Sequence, residues 1–473
     1  MPVSWAAPAQ RAAGSTVTQI LTPESGSERF HRLLYLAVQR LRGRPLGAYI
    51  RKLQEWERLD AAAFQRLRAE RLAQTLNYAM ERVPLYRSEL WRQAFRGGRS
   101  RELRAWPLLE REMVRDRGSE LLAQPTPRGH YFRLTSGSTG KPLGVGMDPA
   151  AAAWAWASDY RGLSWHGLRV GAQCLSFRGT YEGPFKEWIR NHKAMGAANL
   201  SEARLTEGVR YLQAGKPSYV WGYVSAIVDL ARQARKIAPA AAGPLVPFAK
   251  VYGEMLYPFQ RQEIQDGLGA RVIETYGCNE TGTVGYECAA GSLHVFSEHV
   301  EVEILNDGEP VQPGDMGDIA LTCTTNSVMP LVRYRVGDRG RLSPDPCSCG
   351  RPHPVLCDIQ GRVGDVLLTA DGGRVHGTAA LGGLLKKVHA KGPSTAIGQI
   401  LFEQHDSKTW TVLVQPGPGF DDGVVADLAS SVRSVFGEQC TVVVKPVPEI
   451  PREPSGKFRF YRTSGLSAVE PTS

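Results

Sequence analysis

The stretch Leu134-Thr135-Ser136-Gly137-Ser138-Thr139-Gly140-Lys141-Pro142 concentrates the residue types needed to grip a phosphate. Glycines let backbone N–H groups approach an oxyanion, hydroxyls donate further hydrogen bonds, and a lysine supplies positive charge. It is not the GxxxxGK[ST] loop of kinases and GTPases, because Thr135 replaces the first glycine and Pro142 follows the lysine. A second constellation is rich in sulfur. Cys347-Ser348-Cys349 supplies two thiolates, while Cys288 and His294, six residues apart, add a sulfur and a nitrogen. Three cysteines and a histidine satisfy tetrahedral zinc, and a closed set of four protein ligands is structural rather than catalytic. Cys357 and His353 lie near the pair and are the substitute ligands. His299 reads as an ordinary surface or core histidine.

These residues need a scaffold, and the chain has length for one. Its 473 residues allow about two to four folding units. Hydrophobic residues at 42% and charged ones at 22% are ordinary for a soluble globular protein and exclude collagen-like, mucin-like and wholly disordered chains. No apolar run reaches the roughly 20 residues of a membrane-spanning helix, and Arg11, Ser15, Thr16 and Thr18 interrupt any secretory signal. Eight cysteines in so long a chain are no disulfide framework, so a reduced, cytoplasmic protein is expected. The net charge of +10 suits anionic partners: nucleotides, coenzyme A, an acidic carrier protein or, less specifically, nucleic acid.

Residues 1–29 read as a disordered N-terminus. From Phe30 to Arg92 apolar residues recur at helical spacing among many arginines, which we read as solvated helix faces rather than a nucleic-acid surface. Beyond Tyr131, short apolar runs such as Gln173–Phe177, Tyr219–Trp221, Lys250–Tyr252 and Val272–Thr275 alternate with helical segments. That pattern predicts an α/β fold with mainly parallel sheets. Gly361–Asp365 looks like a boundary. After it, the strands Gln399–Gln404, Thr409–Gln415 and Thr441–Val447 and the helix Val424–Phe436 predict a small α+β lid domain. The expected division is therefore a large domain over 30–361 and a lid over 362–473.

The phosphate loop resembles the signature of the adenylate-forming superfamily: acyl- and aryl-CoA ligases, peptide-synthetase adenylation domains and luciferases. Four further segments resemble family motifs in the same order: Tyr276-Gly277-Cys278-Asn279-Glu280, Arg333-Tyr334-Arg335-Val336-Gly337-Asp338, Gly361-Arg362-Val363-Gly364-Asp365 and Pro451-Arg452-Glu453-Pro454-Ser455-Gly456-Lys457. Tyr86 in Val83-Pro84-Leu85-Tyr86, the Trp106-Pro107-Leu108-Leu109 element, Gly253-Glu254 and Cys347-Ser348-Cys349-Gly350-Arg351 resemble the phenylacetate–CoA ligase-like group, which includes capsule-biosynthesis-type homologues. The resemblance runs from about Leu53 to Arg459.

The resemblance implies a nucleotide site. Thr135, Ser136, Gly137, Ser138, Thr139, Gly140 and Lys141 would hold phosphate, and Tyr276 would stack on adenine beside Gly253, Glu254, Gly277 and Asn279. Glu280 would hold Mg²⁺, Asp338 the ribose hydroxyls of ATP, and Arg362 the nucleotide at the hinge. Lys457 would be the adenylation lysine, and zinc on Cys288, His294, Cys347 and Cys349 would tie two loops together. Two positions depart from the pattern: Asn279 stands where Thr or Ser is usual, and Gly364 where the hinge often carries Asp or Lys. Trp221, Tyr223 and Tyr252 fall where relatives have acyl-pocket walls, suiting a flat aryl acid; plain core aromatics on buried strands are the alternative reading.

The implied chemistry is adenylation. Attack of a carboxylate on the α-phosphate of ATP crowds two anions together, so the site needs Mg²⁺ and cations around the phosphorus. Coenzyme A would then displace AMP, giving a thioester. A carrier-protein thiol or an amine is the alternative acceptor. The rival from another class is a basic zinc-containing binding protein with a vestigial ATP site. Neither a membrane span nor a nucleic-acid partner is expected, and a homodimer is one assembly compatible with the sequence.

Overall fold

In a computed structural model of the chain, the structure describes residues 24–95, 102–135, 143–178, 182–197, 200–237, 243–360, 366–376, 396–451 and 458–463. The helical N-terminal region forms as the periodicity predicts: α1 (Gly26–Leu41), α2 (Leu46–Trp56) and α3 (Ala61–Arg82), then the short α4 (Glu89–Ala94) and α5 (Arg111–Asp116). The first helix starts inside the stretch expected to be disordered. Ser25 caps it, accepting from the Glu28 backbone N–H while the Glu28 carboxylate accepts from the Ser25 N–H. Such a reciprocal cap satisfies two otherwise unpaired donors, which is enough to begin a helix there.

A hairpin of β1 (Tyr131–Thr135) and β2 (Leu143–Met147) follows, with Thr135 paired to Leu143. Next comes a seven-stranded sheet of β3 (Cys174–Arg178), β4 (His192–Gly196), β5 (Tyr219–Tyr223), β6 (Phe248–Tyr252), β7 (Arg271–Cys278), β8 (Gly282–Glu287) and β9 (Leu293–Val295). The spatial order is β4-β3-β5-β6-β7-β8-β9. Pairing is parallel from β4 to β7 and antiparallel from β7 to β9. The helix α6 (Pro149–Ser164) leads into β3, and the crossovers are supplied by α7 (Pro184–Arg190), α8 (Glu202–Gly215), α9 (Val224–Ile237) and α10 (Pro258–Leu268). One sheet face buries Leu175, Phe177, Val220, Ala249, Val251 and Val272 against α8, α9 and α10. The other face packs on α6.

Antiparallel pairing then takes over, so parallel strands are confined mainly to this one sheet. The strands β10 (Val300–Asn306), β11 (Glu309–Pro310), β12 (Gly317–Cys323), β13 (Tyr334–Leu342) and β14 (Leu356–Gln360) form a sheet in the order β11-β10-β12-β13-β14. Its hydrophobic side joins the N-terminal helices through Leu76, Tyr86, Trp91, Trp106, Ile319 and Tyr334. The small C-terminal lobe has a hairpin of β15 (Val366–Leu368) and β16 (Arg374–His376). Its sheet contains β17 (Ile397–Gln404), β18 (Thr409–Pro416), β19 (Thr441–Pro446) and β20 (Tyr461–Thr463), packed on α11 (Asp422–Phe436). The fold is therefore a large α/β lobe of mixed sheets with a smaller β-rich lobe at its C-terminus. The expected boundary, 361–365, lies outside the described residues.

Candidate active site and metal centre

The strand β7 changes partners halfway. Arg271–Glu274 pair with β6, and Thr275–Cys278 with β8, with an irregularity between Tyr276 and Gly277. A side chain at Gly277 would place its Cβ 2.4 Å from the Gly282 carbonyl oxygen, so only glycine permits the turn that follows. That turn carries Asn279, exposed, and Glu280, buried. The Tyr276 hydroxyl donates to Asp338 Oδ2 at 2.7 Å, joining two motifs 62 residues apart. Burial, then the Asp338 charge, push the Tyr276 hydroxyl well above its usual pKa, so it remains a proton donor.

Glu280 Oε1 accepts from Arg111 Nη1 at 2.8 Å and from the Tyr334 hydroxyl at 3.1 Å. Tyr334 and Asp338 share β13, which brings the expected Mg²⁺ ligand and the expected ribose ligand to one strand. Arg111 was not singled out from the sequence, although it lies two residues beyond the Trp106–Leu109 element. The structure explains its place. Leu109 N–H donates to Arg333 O at 3.0 Å and Arg335 N–H to Leu109 O at 3.1 Å, docking this segment on β13. Arg333 is itself buried and gives its guanidinium to Glu303 and to the carbonyls of Trp106 and Gly308. Tyr86 is fully buried, donating to Pro330 O and accepting from Val332 N–H. These are supports for the site rather than parts of it.

Gly253, at φ +76°, ends β6 and turns the chain so that Glu254 faces α9. Glu254 accepts from the Ser225 N–H at 2.7 Å, from the Ser225 hydroxyl at 3.0 Å and from the Phe458 N–H at 2.6 Å. Phe458 belongs to the small lobe, so Glu254 bridges the two lobes. Gln399 to Asp229 at 3.3 Å and Arg232 to the Gly398 carbonyl add further cross-lobe bonds. Ser136–Gly140, Lys141, Arg362 and Lys457 lie outside the described residues, as does the side chain of Thr135.

The three expected pocket aromatics come together on adjacent strands. The Tyr252 ring centroid is 5.5 Å from that of Trp221 and 4.9 Å from that of Tyr223.

The sulfur cluster assembles in full. Cys288 and His294 sit on the β8–β9 hairpin, and Cys347 and Cys349 on the loop between β13 and β14. One ligand atom from each lies within 4.8 Å of all the others. Cys288 Sγ and Cys347 Sγ are 3.8 Å apart, and Cys349 Sγ is 3.2 Å from His294 Nε2. A tetrahedron with the usual Zn–S bond has an S–S edge of about 3.8 Å, so the cage suits zinc. His294 Nδ1 lies 3.1 Å from the His353 carbonyl, which orients Nε2 towards the sulfurs. Burial lowers the His294 pKa to about 4, keeping the ring in the neutral form a metal requires. The substitute ligands stay outside. His353 turns Nε2 to Glu298 at 3.2 Å, and Cys357 lies on β14, paired with Arg341. Burial opposes the charge on Glu298, but Arg161 and His353 outweigh it and hold the carboxyl far below its usual range. His299 is a core histidine.

No family model matches the chain. It is 28% identical to a phenylacetate–coenzyme A ligase of Thermus thermophilus over 332 residues, 66% of this chain and 74% of that protein. The Escherichia coli protein of the same name is 26% identical over 336 residues, 67% and 75% of the two chains. Among solved structures, 2-hydroxyisobutyryl-CoA ligase in the postadenylation state with 2-HIB-AMP has the same fold, with a TM-score of 0.71. That match covers 87% of this chain and 92% of the other at 17% identity. In sequence and fold the chain is similar to members of the adenylate-forming superfamily. Within it, the homologues are phenylacetate–CoA ligase-like. Among the described residues no helix is long and apolar enough to cross a membrane.

Proposed function

We propose that the protein is an AMP-forming acid–thiol ligase. It activates a carboxylic acid, of aryl or aryl-acetic type, with Mg·ATP to an acyl-adenylate and passes the acyl group to coenzyme A. The observation that carries this reading is the Tyr276–Asp338 hydrogen bond beside buried Glu280. It unites two distant motifs at the carboxyl end of a parallel strand, where open α/β sheets bind ligands. Glu280 is the residue that would hold Mg²⁺, with Arg111 and Tyr334 orienting its carboxylate. Asp338 would clamp the ribose, and Lys141, Arg362 and Lys457 would supply the cations around phosphorus. Zinc, on Cys288, His294, Cys347 and Cys349, would be structural, because four protein ligands leave no open position.

The test is acid-dependent pyrophosphate release from ATP over a panel of carboxylic acids. Release with at least one acid supports the reading. ATP binding without release on any acid would favour a zinc-containing binding protein with a vestigial site.

A further inference from the structure

Strands in an all-parallel sheet with both faces covered are normally apolar on both. The parallel part of the main sheet is not. Ser176, Trp221 and Lys250 are register partners on β3, β5 and β6, and the next row up pairs Tyr223 with Tyr252. This face looks towards α6: Lys250 Nζ lies 2.5 Å from Asp159, and the Trp156 and Trp221 rings are 6.2 Å apart. Lys250 Nζ lies 4.5 Å from the Trp221 ring centroid and the Arg178 guanidinium carbon 5.1 Å from it. His192 adds its ring at 6.3 Å. The opposite face of the same strands is wholly hydrophobic.

Charge in this layer is balanced. Arg178 pairs with Glu187, Arg190 with Glu182 and Lys250 with Asp159. Hydrogen bonding is not. Trp221 Nε1, His192 Nδ1 and Glu187 Oε2 are buried without a hydrogen-bond partner among the described residues. A buried donor or acceptor left unmade is costly, and several around one ring need an explanation.

We propose that this layer reads a neutral hydrogen-bonding substituent on the acid. The substrates would then be aryl acids carrying ring hydroxyl or amino groups, rather than bare phenyl or alkyl acids. The inference rests on the acid-activating reading above. Three aromatic side chains suit a ring, and the balanced ion pairs disfavour a second charge. A hydroxyl can both accept from the indole N–H and donate to the free carboxylate oxygen. Trp221 is the specificity-determining residue in this account. A site built to hydrogen-bond a substituent rejects the analogue lacking it, because its own polar groups then stay unpaired.

The experiment compares benzoic and phenylacetic acids bearing a ring hydroxyl, amino or methyl group, or none, in pyrophosphate release by the full chain. Expected is a kcat/KM at least about tenfold higher for hydroxyl or amino than for methyl. Trp221→Phe keeps a ring and removes the N–H, so the hydroxyl-to-methyl ratio should fall to within about threefold of unity. Thermal melting checks that the variant is folded. If it is not, His192→Phe, which keeps a ring and removes the unpartnered Nδ1, supplies the same ratio test from β4. Equal or better use of methyl and unsubstituted acids by the wild type overturns the inference and leaves the adenylation reading standing. A ratio unchanged in a folded variant overturns the assignment to this layer. No pyrophosphate with any acid overturns both.

Discussion

Glu280 illustrates how much a single carboxylate depends on its neighbours. Its position follows from a glycine-bounded turn, its burial from β13, and its orientation from Arg111 and Tyr334. Lys457, next in sequence to Phe458, is proposed as the complementary charge. Adenylation brings a carboxylate against a phosphate, and an amine that neutralises both acts mainly in the transition state. Lys457→Ala should therefore lower acid-dependent pyrophosphate release by about 100-fold or more. Thioester formation from a pre-formed adenylate should fall much less, because that step relieves the crowding. Measuring both half-reactions checks the role, and near-wild-type adenylation would remove it.

At the scale of elements, the sulfur cage ties the β8–β9 hairpin to the β13–β14 loop. Both ends are already held by backbone bonds: Val295 N–H donates to Pro354 O and Ser343 N–H to Val355 O, each at 2.8 Å. The buried Arg161–Glu298–His353 cluster braces the same loop from α6. About one zinc per protomer is expected from elemental analysis of protein purified without chelators. Cys347→Ser and Cys349→Ser should lose metal and melt at lower temperature together, because metal binding is coupled to folding. Metal retained by Cys288→Ser would move the fourth ligand to Cys357 or His353. Metal-free wild-type protein of full stability would defeat the assignment.

Across the whole molecule, the two lobes meet through a polar seam and an apolar one, where Tyr257 and Phe259 pack into the small lobe's hydrophobic cluster. Glu254 gathers Ser225 from one lobe and Phe458 from the other, next in sequence to Lys457. Glu254→Gln keeps the shape but turns one acceptor into a donor facing an N–H. Losing a hydrogen bond to a charged group costs about 1.5–3 kcal/mol, so adenylation should slow by roughly 10- to 100-fold. The transfer half-reaction should change less, and equal losses in both would make Glu254 a support of the large lobe alone. The acceptor is also a question at this scale. A carrier domain needs a broad basic surface and coenzyme A a narrower one, and a net charge of +10 is compatible with both. With ATP, Mg²⁺ and an accepted acid, we expect AMP turnover to rise with coenzyme A. A rise only with a phosphopantetheinylated carrier protein or an amine would replace the acceptor and leave adenylation intact.

Local chemistry was legible in the sequence because it is written in short runs. Periodicity located β5, β6, β7, β17, β18 and α11 to within a few residues, since the alternation of buried and exposed positions is itself local. The Tyr276–Glu280 and Arg333–Asp338 segments and the Cys347–Cys349 pair, which the structure brings into contact with their partners, were equally plain. What the sequence left open depended on contacts between distant residues. It offered six candidates for four metal ligands, and only the register of β8–β9 against the β13–β14 loop chose among them, turning His353 away to Glu298. It gave no sign that Arg111 would meet Glu280, 169 residues away, or that Glu254 would reach Phe458, 204 residues away. Nor could it separate the two faces of the parallel sheet. Trp221 and Lys250 read as strand residues in the sequence, and only the packing of α6 made them one polar layer. Residue type sets what chemistry is available; which groups share a site is set by the closure of the chain on itself.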